Sequence, residues 1–478
     1  MVAMPNASTT ESLHARAVSL AGTQWADTPP LHFLPEDPRE DAVALAWLGF
    51  RCQMVGWGRA AAWKGSGVHA IGEAGAWWDR LRAASSVSVD VHGPHSKDRD
   101  SGERTSRAPL SGDSLSGDSL SGDSLSGDSL SGDSPSAEAA SHLERALPSF
   151  PIAFGSFGFS ARTESTLIVP SFLLIDTPEG RWAVSISSSS PMPDPLEVLA
   201  STTPTSPRPP RGLRTDVGRM TQREWRASVE ALAARLRAGD ASKAVMTRDM
   251  LVRADSAITV HYLLERLDSL YPQTWRFCVD SLIGASPEML GSAADGVLHS
   301  RVLAGTSPAG RGAELLESEK NLREHTLAVE SVASALRPIV DDLQVPETPF
   351  ILDLPNVAHL ASDVQARLGE LSLLEAVAAL HPTAAVCGTP RDLALELLEE
   401  HERTERGRYS GPVGWVDANG EGEFCIALRC GALEEEGRAL RIFAGGGIMP
   451  DSDPGEELAE TRRKMAPLLD ALGVDTTA

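Results

Sequence analysis

Val229, Leu232, Ala233 and Leu236 recur at the spacing of one helix face, behind a Thr221 and Glu224 pair placed three apart as a reciprocal N-terminal cap. Gly239 supplies the stop, so the pattern predicts a helix between Thr221 and Gly239. The apolar run at 243–252 follows as a strand, which puts Lys243 where the chain enters a sheet. Segments 150–159 and 166–176 also read as strands, the first carrying Gly155 and Gly158 where bulges or close backbone approach are expected. Three later strands, 409–416, 423–433 and 440–443, are joined through Asp417-Ala418-Asn419-Gly420 and through the polar turn at 434–437. Consecutive hairpins predict antiparallel sheet, hence an α+β fold rather than a doubly wound one. Two more helices complete the pattern. One, over about 313–336, has the apolar stripe Leu322, Val329, Val332 and Leu336 passing through His325; the other opens at Asp453-Pro454-Gly455-Glu456, a capping box with proline at the first helical position.

The pattern breaks in two places. SGDSL recurs in tandem from Ser111, and the fifth copy ends in Pro135 instead of Leu. One isolated Leu every five residues builds no hydrophobic face, so the insert at about 96–141 is expected to be disordered and tolerated at the surface. The Pro-rich stretch at 201–212 is expected to be an exposed linker. By this reading residues 1–215 form an N-terminal half and 216–478 a C-terminal core.

Composition narrows the function. With 42% hydrophobic and 23% charged residues, the 478-residue chain belongs with soluble globular proteins. Its 43 basic residues against 66 acidic give a net charge of -23, which repels phosphate backbones and anionic lipid, so neither nucleic acid nor membrane is an expected partner. Five cysteines without short paired spacing argue against a disulfide framework or structural zinc and suit a reducing compartment. Residues 1–23 lack a secretory pattern, and the apolar run at 167–175 is interrupted by Pro170 and Ser171, short of the roughly 20 residues a membrane helix needs. A cytoplasmic location is expected.

Several motifs carry little. The segment from Gly305 to Arg311 has phosphate-loop glycine spacing, but Arg stands in place of Lys and no Ser or Thr follows it. His401-Glu402 lacks the second His of a zinc-protease helix, and Cys387 reads as a small buried hydrophobe. The carboxylates say more. Glu457 and Glu460 lie three apart on the last helix with Lys464 four further on, a face that taken alone reads as a solvated helix surface with one salt bridge. Glu324 borders the buried stripe of its own helix, and with Glu460 it could hold one hard cation, as magnesium prefers.

Eight segments, in order, resemble the motifs of chorismate-utilising enzymes. They are Lys243-Ala244-Val245-Met246-Thr247-Arg248, the stretch from Ile283 to Leu290 containing Ser286-Pro287-Glu288, Leu303-Ala304-Gly305-Thr306, and the run from Lys320 to His325. The later four are His381-Pro382-Thr383-Ala384-Ala385-Val386, Tyr409-Ser410-Gly411-Pro412-Val413-Gly414-Trp415, Ala427-Leu428-Arg429, and Ala444 to Ile448 leading into the Glu457 and Glu460 helix. The resemblance implies a single α+β domain, two β-sheets packed face to face with helices outside. Lys243 stands where water-using members carry the general base, Ala304 where aminodeoxychorismate synthases carry a nucleophilic Lys, and Ala385 where salicylate synthases place Thr. Together these imply an isochorismate synthase, with salicylate synthase the nearest alternative.

The implied chemistry is an allylic displacement: water adds at ring carbon 2 while hydroxide leaves carbon 4 as water. Lys243 suits the proton acceptor only when neutral, and Glu288 the donor only when protonated. Alone, each has a plain structural reading, a snorkelling strand-end cation and a turn-stabilising carboxylate. Chorismate is a dianion, and the resemblance assigns its recognition to Arg429, Lys464, Thr306, Tyr409, Gly305, Ala385, the glycines Gly445, Gly446 and Gly447, and His381. Magnesium is implied on Glu324 and Glu460 directly and on Glu457 through water. Asn321 departs from the acidic residue usual at its position. No glutamine amidotransferase subunit is expected, a monomer is, and the segment 381–386 leans towards menaquinone-type synthases.

Overall fold

The computed structural model describes residues 12–35, 43–90, 147–189, 191–403 and 405–474; the expected insert at 96–141 lies outside them. Among the described residues the strands form two sheets, one of 13 strands and one of 10. The larger runs from Arg214–Val217 through Lys243–Arg253, Ala439–Ile448, Cys430–Glu434, Leu282–Ser286 and Trp275–Val279. It continues through Ala44–Leu48, Gln53–Trp57, Phe172–Thr177, Gly180–Ser187 and His14–Ser19 to Ser86–Asp90. The smaller carries Val357–Arg367, Val297–Pro308, Met289–Ala294, Gly422–Ile426, Pro412–Asp417, Ile152–Ser156, Ser165–Val169 and Ala61–Gly65 in that order. The described pairings are antiparallel except that of His14–Ser19 with Ser86–Asp90. Both sheets therefore take strands from either side of residue 215, and the class is the α+β one expected.

The main core lies between the sheets, where Trp47, Phe277 and Leu282 of the larger meet Phe154, Trp415 and Phe424 of the smaller. Helices Val260–Leu270 and Pro454–Leu472 cover the outer face of the larger sheet, contributing Leu263, Leu264, Leu267, Met465 and Leu468. A third cluster joins helix Gln222–Arg237 and helix Arg391–His401 to the start of strand Lys243–Arg253 through Trp225, Val229, Met246 and Leu397. Hence the lysine-bearing end of that strand is the most enclosed part of its length.

Local predictions hold where short-range chemistry dictates them. Thr221 and Glu224 do form the reciprocal capping box, a device worth about 1 kcal/mol, and Gly239 takes a positive φ of 92° after the helix. At the last helix only half the box forms, because Asp453 accepts from the Gly455 and Glu456 amides without a return bond from Glu456.

Other boundaries move for identifiable reasons. Expected helix 313–336 is two helices, Ala313–Glu317 and Glu319–Leu336, because Ser318 leaves helical geometry to cap the second by accepting from Asn321 N. Segment 166–176 breaks at Pro170 into strands of different sheets. So does 423–433: Gly422–Ile426 belongs to the smaller sheet and Cys430–Glu434 to the larger, and the chain crosses between them at Ala427–Arg429, with Arg429 at φ 47°. Strand 409–416 begins at Pro412, since Ser410 also has positive φ. Strand 150–159 shortens to Ile152–Ser156. The 201–212 stretch is mostly exposed, though Pro210 is buried and Thr205 N donates to His32 O.

Candidate active site

A cavity of about 610 Å³, including its open mouth, lies where the two sheets meet helices Glu319–Leu336 and Pro454–Leu472. Glu288, Gly305, Thr306, Glu324, Ala385, Tyr409, Arg429, Gly445, Gly447 and Lys464 line it. The crossing segment delivers Arg429 from between the sheets, and strand Val297–Pro308 delivers Ala304 to Thr306 at a register irregularity. Tyr409 stacks on Phe443, their ring centroids 5.3 Å apart.

The charged groups are arranged in layers. Lys243, only 1% exposed, sits behind the wall and holds Glu324 through a 3.0 Å contact from Nζ to Oε1. Lys464 Nζ lies 2.6 Å from Glu460 Oε1 and donates to Gly445 O at 3.0 Å. Glu457 accepts from Ser452 Oγ at 2.6 Å and from Lys320 Nζ at 3.4 Å. The glycine run makes this proximity possible. A Cβ on Gly447 would stand 2.2 Å from Glu324 Oε1 and 3.0 Å from Lys243 Cε, and one on Gly446 2.9 Å from Glu457 Oε2. A side chain at either position would make the facing carboxylate shift.

Electrostatics separates the acids. Burial pushes the Glu288 carboxyl up to about 7, against the backbone amide of Leu303 and the charges of Lys243, Lys464 and Arg429, which pull it down. Burial also opposes ionisation of Glu324, but Lys243, Lys464 and Lys320 outweigh it and hold that carboxyl below its ordinary range. Glu457 rises to about 7 through burial, then through the charges of Glu460 and Glu324. Desolvation lowers the Arg429 guanidinium to about 10, and among the described residues its Nη1 has no partner.

Glu324, Glu457 and Glu460 offer the oxygen-only donor set of a hard divalent cation, and after burial it is the charges of Glu460 and Glu324 that press on Glu457. As the side chains stand, each is held by its own lysine, and among the described residues no group of three acids, histidines or cysteines is gathered around a metal position.

A family model described as chorismate binding enzyme matches residues 148–473. The chain belongs to the chorismate-binding enzyme family. It is 38% identical over 273 residues to isochorismate synthase DhbC of Bacillus subtilis, an overlap of 53% of this chain and 68% of the relative. Against isochorismate synthase MenF of the same organism it is 29% identical over 354 residues, 68% of this chain and 75% of the relative. The solved structure of MenF, the menaquinone-specific isochorismate synthase from Escherichia coli, superposes with a TM-score of 0.71 over 96% of this chain and 94% of that one; at 21% identity the likeness speaks for the fold. An enzyme of the isochorismate synthase group is what the resemblance implied, and these relatives agree.

Within the chorismate-binding scaffold most of the implied residues converge, and a few do not. His381 does not line the cavity: it ends helix Leu373–Leu380, meets the Phe159 ring edge-on at 6.1 Å, and is driven down to about 4 by burial, so it is neutral. Gly446, Glu457, Glu460 and Lys243 also stand behind the lining, in contact with it. The histidine in the wall is His359, which sequence reasoning missed. Its Nε2 lies 2.9 Å from Arg429 Nη2 and its Nδ1 3.2 Å from both Gly305 O and Thr306 Oγ1; burial and the neighbouring cations Arg429 and Lys464 keep it neutral, able to accept from Arg429. A lone histidine inside the apolar run Val357-Ala358-His359-Leu360-Ala361 was the available signal. Asn321 N and Nδ2 donate to Ser318 Oγ, so its amide serves the helix cap. Among the described residues no helix is long and apolar enough to cross a membrane.

Proposed function

We propose that the protein is a magnesium-dependent isochorismate synthase that takes water, not ammonia, as its nucleophile. One observation carries the reading: a single cavity brings the buried acid Glu288, the guanidinium of Arg429 and the Lys464 ammonium together with Glu324, behind which Lys243 is seated. Arg429 offers a planar fork to one substrate carboxylate, with Thr306 and Tyr409 hydroxyls at hand. Glu324, Glu457 and Glu460 would hold magnesium, which supplies the positive charge that neutralises the second carboxylate. Lys243 is assigned the proton of the water that attacks ring carbon 2, a role open to it once Glu324, its 3.0 Å partner, turns to the magnesium. Glu288, kept protonated near neutrality by burial, gives its proton to the hydroxyl leaving carbon 4, so one water enters and one departs. Ala304 offers no amine at the wall position where aminodeoxychorismate synthases carry their nucleophilic Lys.

Incubating the purified protein with chorismate and magnesium and separating the products tests this. Isochorismate as the main product supports the reading. Salicylate with pyruvate identifies a salicylate synthase instead, and anthranilate formed from ammonia overturns both. The product is assigned to menaquinone formation on the segment His381-Pro382-Thr383-Ala384-Ala385-Val386; loss of a siderophore with intact menaquinone in a deletion strain overturns that assignment.

A further inference from the structure

Strand Lys243–Arg253 is bordered on one edge by Ala439–Ile448 along its length, but its other edge is paired only at the ends. Gly388–Thr389 pairs with Lys243 and Ala244, and Arg214–Val217 with Met250 to Arg253. Between them, Val245 N donates to Cys387 O at 2.8 Å, and three further backbone groups are met by side chains. Arg406 Nη2 donates to Val245 O, Glu402 Oε2 accepts from Thr247 N at 3.0 Å, and Trp225 Nε1 donates to Thr247 O at 3.3 Å. A buried ion pair thus substitutes for a missing strand.

Arg406 reaches further. Its Nε and Nη2 both grip Glu402 at 2.7 Å, its Nη1 donates to Val386 O at 2.8 Å, and its guanidinium lies 4.0 Å from the Phe159 ring centre. Both side chains are almost wholly buried. Such a pair adds little stability over an apolar substitute, so its distinctive contribution is geometric: a rigid fork that spans two carbonyls at once. Those carbonyls belong to Val245 and Val386, both in the cavity wall, on the strand that starts at Lys243 and on the segment that carries Ala385. Arg406 itself does not line the cavity.

We propose that Arg406, locked onto Glu402, is a positioning residue that fixes the Lys243 strand against the 384–387 segment and so sets the approach of the attacking water. This rests on the assignment of Lys243 as the base. Arg406→Lys keeps the charge beside Glu402 but cannot span both carbonyls, and Arg406→Ala removes the fork. Turnover of chorismate should fall about tenfold to a hundredfold in both, the scale of an ångström-sized misplacement, with KM within about twofold. Methylguanidinium should restore part of the lost turnover in Arg406→Ala and none in Arg406→Lys. Amide hydrogen exchange should rise together at 243–247 and 384–387 in Arg406→Lys. Turnover within twofold of wild type in both variants overturns the proposal, as does exchange that rises in one segment alone. A wild-type protein inactive on chorismate overturns the functional reading instead, while the exchange measurement still decides whether Arg406 links the two segments.

Discussion

Two glutamates, Glu288 and Glu423, are both buried, and burial raises the carboxyl of each, yet their surroundings differ in kind. Glu423 lies between the sheets, where Oε2 accepts from Trp47 Nε1 at 2.7 Å and Trp415 Nε1 at 3.4 Å, beneath Gly49 and away from the cavity lining. Among the described residues Glu288 has one weak donor to its side chain, Leu303 N at 3.3 Å, and it faces the cavity with Arg429 and Lys464 in the same wall. Burial alone does not mark a reacting group. The difference is that Glu423 spends its acceptors on fixed indoles, whereas Glu288 keeps hydrogen-bonding capacity in reserve for a partner that is not part of the protein.

Substitution sharpens the contrast. The largest loss is expected at the proton-transfer pair: Lys243→Ala and Glu288→Gln should each lower turnover by about a hundredfold or more, with chorismate still bound, as single-turnover and binding measurements would show. Retention of turnover in either variant would remove that residue from the mechanism. Glu460→Ala should be milder and of another kind. Its loss, about tenfold at limiting magnesium, should shrink as magnesium is raised, because a cation site missing one carboxylate loses affinity first. Rescue of Lys243→Ala by magnesium, with none for Glu460→Ala, would reverse the two assignments.

The pH profile gives a smaller effect. Because Glu288 holds its proton up to about 7 in the folded protein, against an ordinary 4.5, the acid form thins as pH climbs through that value. Turnover should therefore decline above about pH 7, and this limb should be missing from the residual activity of Glu288→Gln. The same shift makes this group's contribution to stability full below 4.5 and lost as pH rises towards 7. Least affected in activity should be Glu423→Gln: turnover within about twofold of wild type, with stability lowered by about 1–3 kcal/mol as the amide leaves a buried donor unpaired. Thermal unfolding with a parallel rate assay checks it, and a large rate loss without a stability loss would break the comparison.

Chain-local chemistry was readable from residue order. The Thr221 and Glu224 cap, the strand start at Lys243, the turn at 417–420 and the Asp453 N-cap depend on groups within a few positions of one another, and all are present. The motif order around Glu288, Thr306, Glu324, Tyr409 and Arg429 was equally legible, and the cavity gathers those residues. What the linear pattern could not show is which sheet a strand joins. Residues 423–433 look like one continuous strand because both halves are apolar, and only the packing of two sheets requires the chain to cross at Arg429. His359 and His381 illustrate the same limit: each is a single histidine beside apolar residues, and strand register alone puts the first against Arg429 while the second caps a helix behind the wall. The Arg406 and Glu402 pair was invisible for a related reason. Its partners, Val245, Thr247 and Val386, are backbone groups distant in sequence, and a backbone group carries no residue-specific signal. Sequence determined the kinds of group available and their local geometry, while tertiary structure decided which of them lose water together and face one another across a cavity.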